Sequence, residues 1–126
     1  MPHALIIEDN MIVSRVIEEQ LSHAGFNSCD HAWTERQALE LANHHIPDLI
    51  VIGDAIEQGS AIEAARQICG NGPVPVVLAT ANASRARRRL PKGASMCGPY
   101  SIGQIGKALD DIKRADSHAL PMTMFA

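Results

Sequence analysis

The chain has 126 residues, of which 46% are hydrophobic and 20% are charged, and its net charge at neutral pH is -3. This length suits one globular domain, and the sequence has no uncharged run long enough to predict a membrane helix. The charge balance gives no overall reason to bind nucleic acid, and the short start Met1-Pro2-His3 predicts no signal peptide, so we expect a cytoplasmic protein.

Five short apolar runs alternate with helical patterns along the chain. This alternation predicts a parallel sheet with helices on both faces. The predicted strands cover residues 4–7, 27–32, 48–52, 74–79 and, more weakly, 95–97. We expect residues 1–115 to form this domain and residues 116–126 to form a short C-terminal tail.

Helical periodicity predicts five helices. The first should begin at an Asn10 cap and end at Gly25, and the second should begin with a capping box formed by Thr34 and Gln37. The others are predicted at residues 60–69, 84–90 and 102–115, and the fourth has the weakest periodicity because arginines dominate it. The apolar side of the first helix, which we expect to be buried, consists of Val13, Val16, Ile17, Leu21 and Ala24.

Polar side chains follow three of the predicted strands at the point where each strand ends. Glu8 and Asp9 follow the first strand, Asp54 comes shortly after the third, and Thr80 follows the fourth. In an open parallel sheet, ligands bind beyond the carboxyl ends of the strands, where the strand order reverses. The sequence therefore predicts a polar site at this edge of the sheet.

These residues and their spacing resemble the receiver domain of two-component response regulators over about residues 4–113. The resemblance implies a flavodoxin-like three-layer α/β fold, with a five-stranded parallel sheet in the order 2-1-3-4-5 and five helices. It implies a signalling protein rather than an enzyme, which receives a phosphoryl group on an aspartate from a histidine kinase or a small phosphodonor. By the same resemblance, Glu8, Asp9 and Asp54 are the candidate Mg²⁺ ligands, and Thr80 is the candidate phosphoryl-binding hydroxyl.

The chain departs from the family where the chemistry should be. Gly53 stands where the acceptor aspartate is expected, and Gly98 stands where a lysine is expected. Counting forward from Pro47 and backward from residues 61–63 both leads to Gly53, so Asp54 lies one residue late. Because successive strand residues point to opposite faces, Asp54 should point away from the acidic pair unless a bulge at Gly53 turns it back. Asp54 is nevertheless the candidate phosphoacceptor.

These departures favour an atypical receiver that acts through protein–protein interaction, with weak or no aspartate phosphorylation. One alternative is a working phosphoacceptor that uses Asp54 with Mg²⁺. Another, from a different class, is a small flavodoxin-like enzyme or nucleotide-binding protein, although no glycine-rich phosphate loop follows any predicted strand. Sequence drift in a dispensable gene would also produce such departures.

A basic cluster gives a candidate partner surface. The resemblance implies that the face formed by the fourth helix, fifth strand and fifth helix binds a histidine kinase, another signalling protein or a second copy of the chain. A solvated helix face is the simpler interpretation. No aromatic residue interrupts the cluster, so we expect no nucleic-acid partner, and we expect no membrane contact. The candidate surface residues are Arg85, Arg87, Arg88, Arg89 and Tyr100.

Simple structural roles remain open for the other candidates. A solvated strand-end pair is the alternative for Glu8 and Asp9, and a hydroxyl bonded to its own loop is the alternative for Thr80. The six histidines show no metal-ligand spacing, so we expect them at the surface. No disulfide framework or zinc site is predicted from the spacing of Cys29, Cys69 and Cys97.

Overall fold

The computed structural model describes residues 2–53, 59–70, 72, 74–80, 97–101, 105–107 and 109–110, with the backbone alone for residues 80 and 97–101. Residues 105–107 and 109–110 are helical. The other elements in these ranges are β1 (His3–Ile7), α1 (Met11–His23), β2 (Ser28–Ala32), α2 (Glu35–His44), β3 (Leu49–Ile52), α3 (Ala61–Cys69), β4 (Val76–Thr80) and β5 (Cys97–Ser101).

The strands form one parallel sheet in the order β2-β1-β3-β4-β5. The predicted α/β class and strand order are therefore confirmed. Every residue of β1 and β3 is buried, as expected for central strands of a parallel sheet that is covered on both faces.

Each face of the sheet has its own hydrophobic core, because alternate strand residues point to opposite faces. On one face, Leu5 and Ile7 of β1 pack with residues of β3, α2 and α3. On the other face, Ala4 and Ile6 pack against α1 and against Ile105 in the C-terminal helical residues. The sheet thus lies between two helical layers, as predicted.

Local sequence sets the starts of the three helices that the described ranges contain in full. The side chain of Asn10 accepts two backbone N–H bonds from the first turn of α1, at 3.0 and 3.2 Å. Thr34 Oγ1 accepts the N–H of Gln37 at 3.1 Å, and Gln37 Oε1 accepts the N–H of Trp33 at 2.8 Å. Thr34 thus caps α2 as predicted, but Gln37 bonds the N–H of the residue before the cap and not the N–H of Thr34, as a capping box would. Ser60 caps α3, since its hydroxyl accepts the N–H of Glu63.

The predicted buried face of α1 is wrong at one end. Ala24 is exposed, because the helix ends at His23 and Ala24 is its C-terminal cap. Ser14 is buried instead, where its hydroxyl donates to the carbonyl of Glu8 at 3.4 Å. A polar residue therefore occupies part of the face that periodicity assigned to apolar residues.

The fifth strand lies later in the chain than predicted. It covers Cys97–Ser101 instead of residues 95–97, and its pairing with β4 shifts register between Val77 and Ala79. This strand contains Pro99, which lacks a backbone N–H. Proline is tolerated there because β5 is an edge strand of the sheet.

A histidine cluster closes the amino edge of the sheet, where the strands begin. His3 is only 2% exposed, so the expectation of a surface position is wrong for this residue. Its Nδ1 lies 2.7 Å from Ser28 Oγ, and its Nε2 lies 3.0 Å from Asp30 Oδ2. The backbone N–H of His3 donates to Asp48 Oδ2 at 2.8 Å, and the N–H of Asp48 donates to the His3 carbonyl at 2.7 Å. The His45 ring stacks on His3 with the centroids 3.7 Å apart.

The predicted fourth helix at 84–90 and the predicted tail at 116–126 lie outside the described residues. The boundary between residues 115 and 116 therefore stays a prediction. Within the described ranges, none of the helices has the length and apolar character needed to cross a membrane.

Candidate functional site

Strand register places Gly53 beside Glu8 at the carboxyl edge of the sheet. Ile7 of β1 pairs with Ile52 of β3, and the N–H of Gly53 donates to the Ile7 carbonyl at 3.0 Å. Glu8 and Gly53 are the next residues along these two strands. By alternation, position 53 faces the same side of the sheet as Glu8 and as Val51, which packs towards α1.

The acidic pair, formed by Glu8 and Asp9, has one buried and one exposed side chain. Glu8 is 3% exposed, whereas Asp9 is exposed. The backbone of Glu8 is held on two sides: its N–H donates to the carbonyl of Ala32 at 3.0 Å, and its carbonyl accepts from Ser14 Oγ at 3.4 Å. The interpretation as a solvated pair is therefore wrong for Glu8 and fits only Asp9.

The side chain of Glu8 covers the Cα of Gly53. A Cβ atom added to Gly53 would lie 2.5 Å from Glu8 Cδ and 3.1 Å from Glu8 Cβ, and it would overlap Glu8 Oε2. A side chain at position 53 would thus need the space that the Glu8 carboxylate now fills.

A second glycine and glutamate meet at residue 59. Gly59 has a φ of 85°, and an added Cβ would lie 2.6 Å from Glu35 Cβ. Glu35 Oε1 accepts the N–H of Ser60 at 2.9 Å. Glu35, the first residue of α2, therefore also fixes the start of α3, and residues 53 and 59 each adjoin a glutamate from another element.

The remaining predicted site residues are placed less completely. Thr80 is the last residue of β4, and its backbone pairs with Ser101 at the same edge of the sheet as Glu8. Gly98 and Tyr100 lie within β5. Asp54, the candidate phosphoacceptor, lies outside the described residues, as do Arg85, Arg87, Arg88 and Arg89.

The carboxylates of Glu8 and Asp9 are hard oxygen donors of the kind that Mg²⁺ prefers. The described ranges contain no group of three or more His, Cys, Asp or Glu side chains placed to hold a metal ion. These two residues thus fit a divalent cation in chemistry, and a third protein ligand would have to come from elsewhere.

Exposed apolar side chains that were not predicted from the sequence border this edge. Met11 and Ile12 begin α1 directly after the acidic pair and are 55% and 77% exposed. Trp33, which is 42% exposed, follows the residue whose carbonyl accepts the Glu8 N–H. The signal was present in the sequence, since neither Met11 nor Ile12 belongs to the apolar face of α1.

Comparison with known families gives a match over most of the chain. The family model described as the response regulator receiver domain matches residues 4–97. Among curated proteins, the transcriptional regulatory protein PdtaR of Mycobacterium tuberculosis is 29% identical over 110 residues, which cover 84% of this chain and 54% of that protein. The KDP operon transcriptional regulatory protein KdpE of Escherichia coli is 28% identical over 109 residues, covering 83% and 48%. The chain spans about half the length of these relatives.

Solved structures give the same fold. A mutant of the anti-anti-sigma factor PhyR from Bartonella quintana superposes with a TM-score of 0.73 at 20% identity, covering 92% of this chain and 50% of that one. The response regulator PhyR from Brucella abortus gives 0.70 at 19% identity, covering 93% and 52%. A mutant receiver domain of the histidine kinase CKI1 from Arabidopsis thaliana gives 0.69 at 18% identity and covers 90% of both chains. At these identities, the similarity concerns the fold alone.

Proposed function

The chain belongs to the response regulator receiver domain family, and from that premise we propose that it is an atypical receiver, which signals by binding another protein without aspartate phosphorylation on β3. The family match favours this class over the alternative of a flavodoxin-like enzyme or nucleotide-binding protein.

The position of Gly53 carries this proposal. The pairing of Ile7 with Ile52 puts Gly53 beside Glu8, where the resemblance to receivers calls for the acceptor aspartate. Glycine offers no carboxylate to attack phosphorus, and the family's reaction needs that nucleophile. A receiver with glycine at this position can still bind proteins through its surface. It lacks the carboxylate that would accept the phosphoryl group.

The exposed apolar residues at the same edge support protein binding. Met11, Ile12 and Trp33 are large, exposed and close in the fold to the acidic pair, and apolar groups rimmed by polar residues are typical of interaction surfaces. We propose them as contacts for a signalling protein such as a histidine kinase. The basic cluster at Arg85 and residues 87–89 is a second proposed surface, for a partner or a second copy of the chain.

The name of one structural neighbour fits this mode of action. PhyR is described as an anti-anti-sigma factor, a name that denotes action on another protein. We extend to this chain only the general mode, binding of a protein partner. Glu8 and Asp9 would hold Mg²⁺ if the site binds it, with Asp54 as the proposed third ligand.

The test is intact mass after incubation with acetyl phosphate and Mg²⁺. In a working receiver, a carboxylate oxygen attacks phosphorus, the bond between phosphorus and the acetyl oxygen breaks, and acetate leaves. We expect no gain of a phosphoryl group under conditions that modify an ordinary receiver. A gain that disappears in Asp54→Ala would overturn the proposal and support Asp54 as the acceptor, whereas Asp9→Ala tests dependence on the acidic pair.

A second arm tests the apolar surface. Ile12→Asp should weaken capture of a signalling partner from extract at least tenfold, because it places a charge where an apolar contact is proposed. Ile46→Asp is the matched control, since Ile46 is 75% exposed but follows α2 at the opposite edge of the sheet. Equal capture by both variants and the native chain would remove this surface from consideration.

A further inference from the structure

Gly53 is needed for space and not for backbone conformation. The positive-φ glycines of the described residues are Gly25 and Gly59. The backbone at Gly53 therefore takes a conformation that other residues also adopt. The three atoms nearest to an added Cβ all belong to the side chain of Glu8. What excludes a larger residue at position 53 is thus the Glu8 side chain.

Glu8 has little freedom to withdraw as a whole. Its backbone N–H and carbonyl are both bonded, to Ala32 and Ser14 respectively. Its side chain is enclosed, since the residue is 3% exposed. With the backbone fixed, the carboxylate leaves the space above Gly53 only by rotation of its own side-chain torsions.

An aspartate at position 53 would need still more room than an alanine. Its carboxylate would extend further into the space that the Glu8 side chain occupies. The arrangement of Glu8 is therefore matched to glycine and opposed to the residue that receivers have at this position.

We infer that Glu8 and Gly53 form an interdependent pair, in which the Glu8 carboxylate fills the volume of the absent acceptor side chain and holds the site in one state. Glu8 thus occupies the space that a side chain at position 53 would need. The inference rests on the proposed function, because it explains how a receiver without this acceptor fills the space at the end of β3.

A double-mutant cycle tests the pair through thermal unfolding of the full chain. The four proteins are the native chain, Gly53→Ala, Glu8→Ala and the double variant. We expect Gly53→Ala to lower the Tm of the native chain by about 4 °C or more, because it overpacks the site. In the Glu8→Ala background, the same change should alter Tm by less than about 2 °C, since the two nearest atoms are removed and the Cβ of residue 8 lies 3.1 Å away. Gly72→Ala is the control, because a Cβ there meets nothing within 4 Å.

A spectroscopic readout separates positioning from general loss of stability. Gly53→Ala should shift the ¹³C signal of the Glu8 carboxyl group, whereas Gly72→Ala should leave it in place. An equal fall in Tm in both backgrounds, or an unmoved Glu8 signal, would overturn the inference. If Gly53→Ala alone does not fold, recovery of a folded spectrum in the double variant supports the pair, and no recovery contradicts it.

The two proposals fail in different measurements. A gain of mass from acetyl phosphate in the native chain would overturn the phosphorylation-independent function and leave the cycle unaffected. If the effects of the two substitutions on Tm are additive and the native chain gains no mass, the inferred pairing of Glu8 with Gly53 is wrong and the proposed function stands.

Discussion

The two edges of the sheet carry polar clusters of opposite kinds. At the amino edge, His3 is buried, and its ring and backbone contact Ser28, Asp30 and Asp48. At the carboxyl edge, Asp9 faces solvent, and Ile12, three residues later, is exposed. The contacts at the amino edge centre on the buried ring of His3, whereas the carboxyl edge, next to the buried Glu8, presents charge and apolar surface to the solvent.

This difference separates stability from function within one sheet. Partly buried hydrogen bonds from His3 at the amino edge link β1 to β2 and to the residue before β3, and polar networks of this kind favour a single arrangement. Side chains left exposed at the end of a rigid strand contribute little to packing, and they are available to a partner. The comparison predicts large losses of stability from changes at the amino edge and smaller ones at the carboxyl edge.

The largest effect should follow His3→Ala. The variant removes the stack on His45 and two ring hydrogen bonds, and it leaves Ser28 and Asp30 without these contacts. We expect the free energy of unfolding to fall by about 2–4 kcal/mol. Urea titration followed by circular dichroism measures it.

The control for this prediction is His44→Ala, because His44 is exposed in the last turn of α2. It should change the free energy of unfolding by less than about 0.5 kcal/mol. Similar losses in the two variants would mean that the buried His3 contributes no more to the free energy of unfolding than an exposed histidine does. The proposed difference in stability between the two edges would then be wrong.

A smaller loss should follow Gly59→Ala at the carboxyl edge. The backbone of Gly59 has a positive φ, which costs other residues about 1–2 kcal/mol, and the new methyl group would press on Glu35. We expect a loss of about 2 kcal/mol by urea titration, near the lower end of the His3→Ala range. In a Glu35→Ala background the loss should shrink towards the backbone cost alone, and an unchanged loss would show that Glu35 does not limit this position.

Much of the fold was predictable because its causes are local. The apolar run of β1 gives a buried central strand, and Asn10 and Thr34 cap their helices through residues two or three positions away. The strand order followed from the family resemblance. The position of β5 was not predictable, because pairing at the sheet edge shifts its register against β4.

The candidate site was predictable in composition and only partly in arrangement. The sequence identified Glu8, Asp9 and Gly53 as strand-end residues, and counting placed Gly53 at the expected acceptor position. It did not reveal that Glu8 turns inward over Gly53, since this contact depends on the register between two strands that lie far apart in the chain. The burial of His3 was missed for the same reason, because its partner Asp48 is 45 residues away. The role of Asp54 stays a prediction.

The smallest predicted effect concerns the reactivity of Cys29, which is measured in the native chain without any substitution. This residue lies between Ser28 and Asp30 on β2, and its side chain packs against the core that contains Ile6 and Ile17. Burial, together with the charges of Glu18 and Asp30, raises the pKa of its thiol to about 11, from an ordinary value near 9. Because alkylation requires the thiolate, at pH 7 to 8 Cys29 should react with iodoacetamide roughly 100-fold more slowly in the folded chain than in concentrated urea. The same raised pKa predicts that the contribution of the Cys29 thiol to stability is full below pH 9 and is lost as the pH rises from about 9 towards 11.

Peptide mass spectrometry measures the alkylation rate at Cys29 separately from the rate at Cys69. Equal rates for Cys29 in folded and unfolded protein would mean that β2 opens readily to solvent at this residue, and β2 would then be held less firmly than the contacts of His3 indicate.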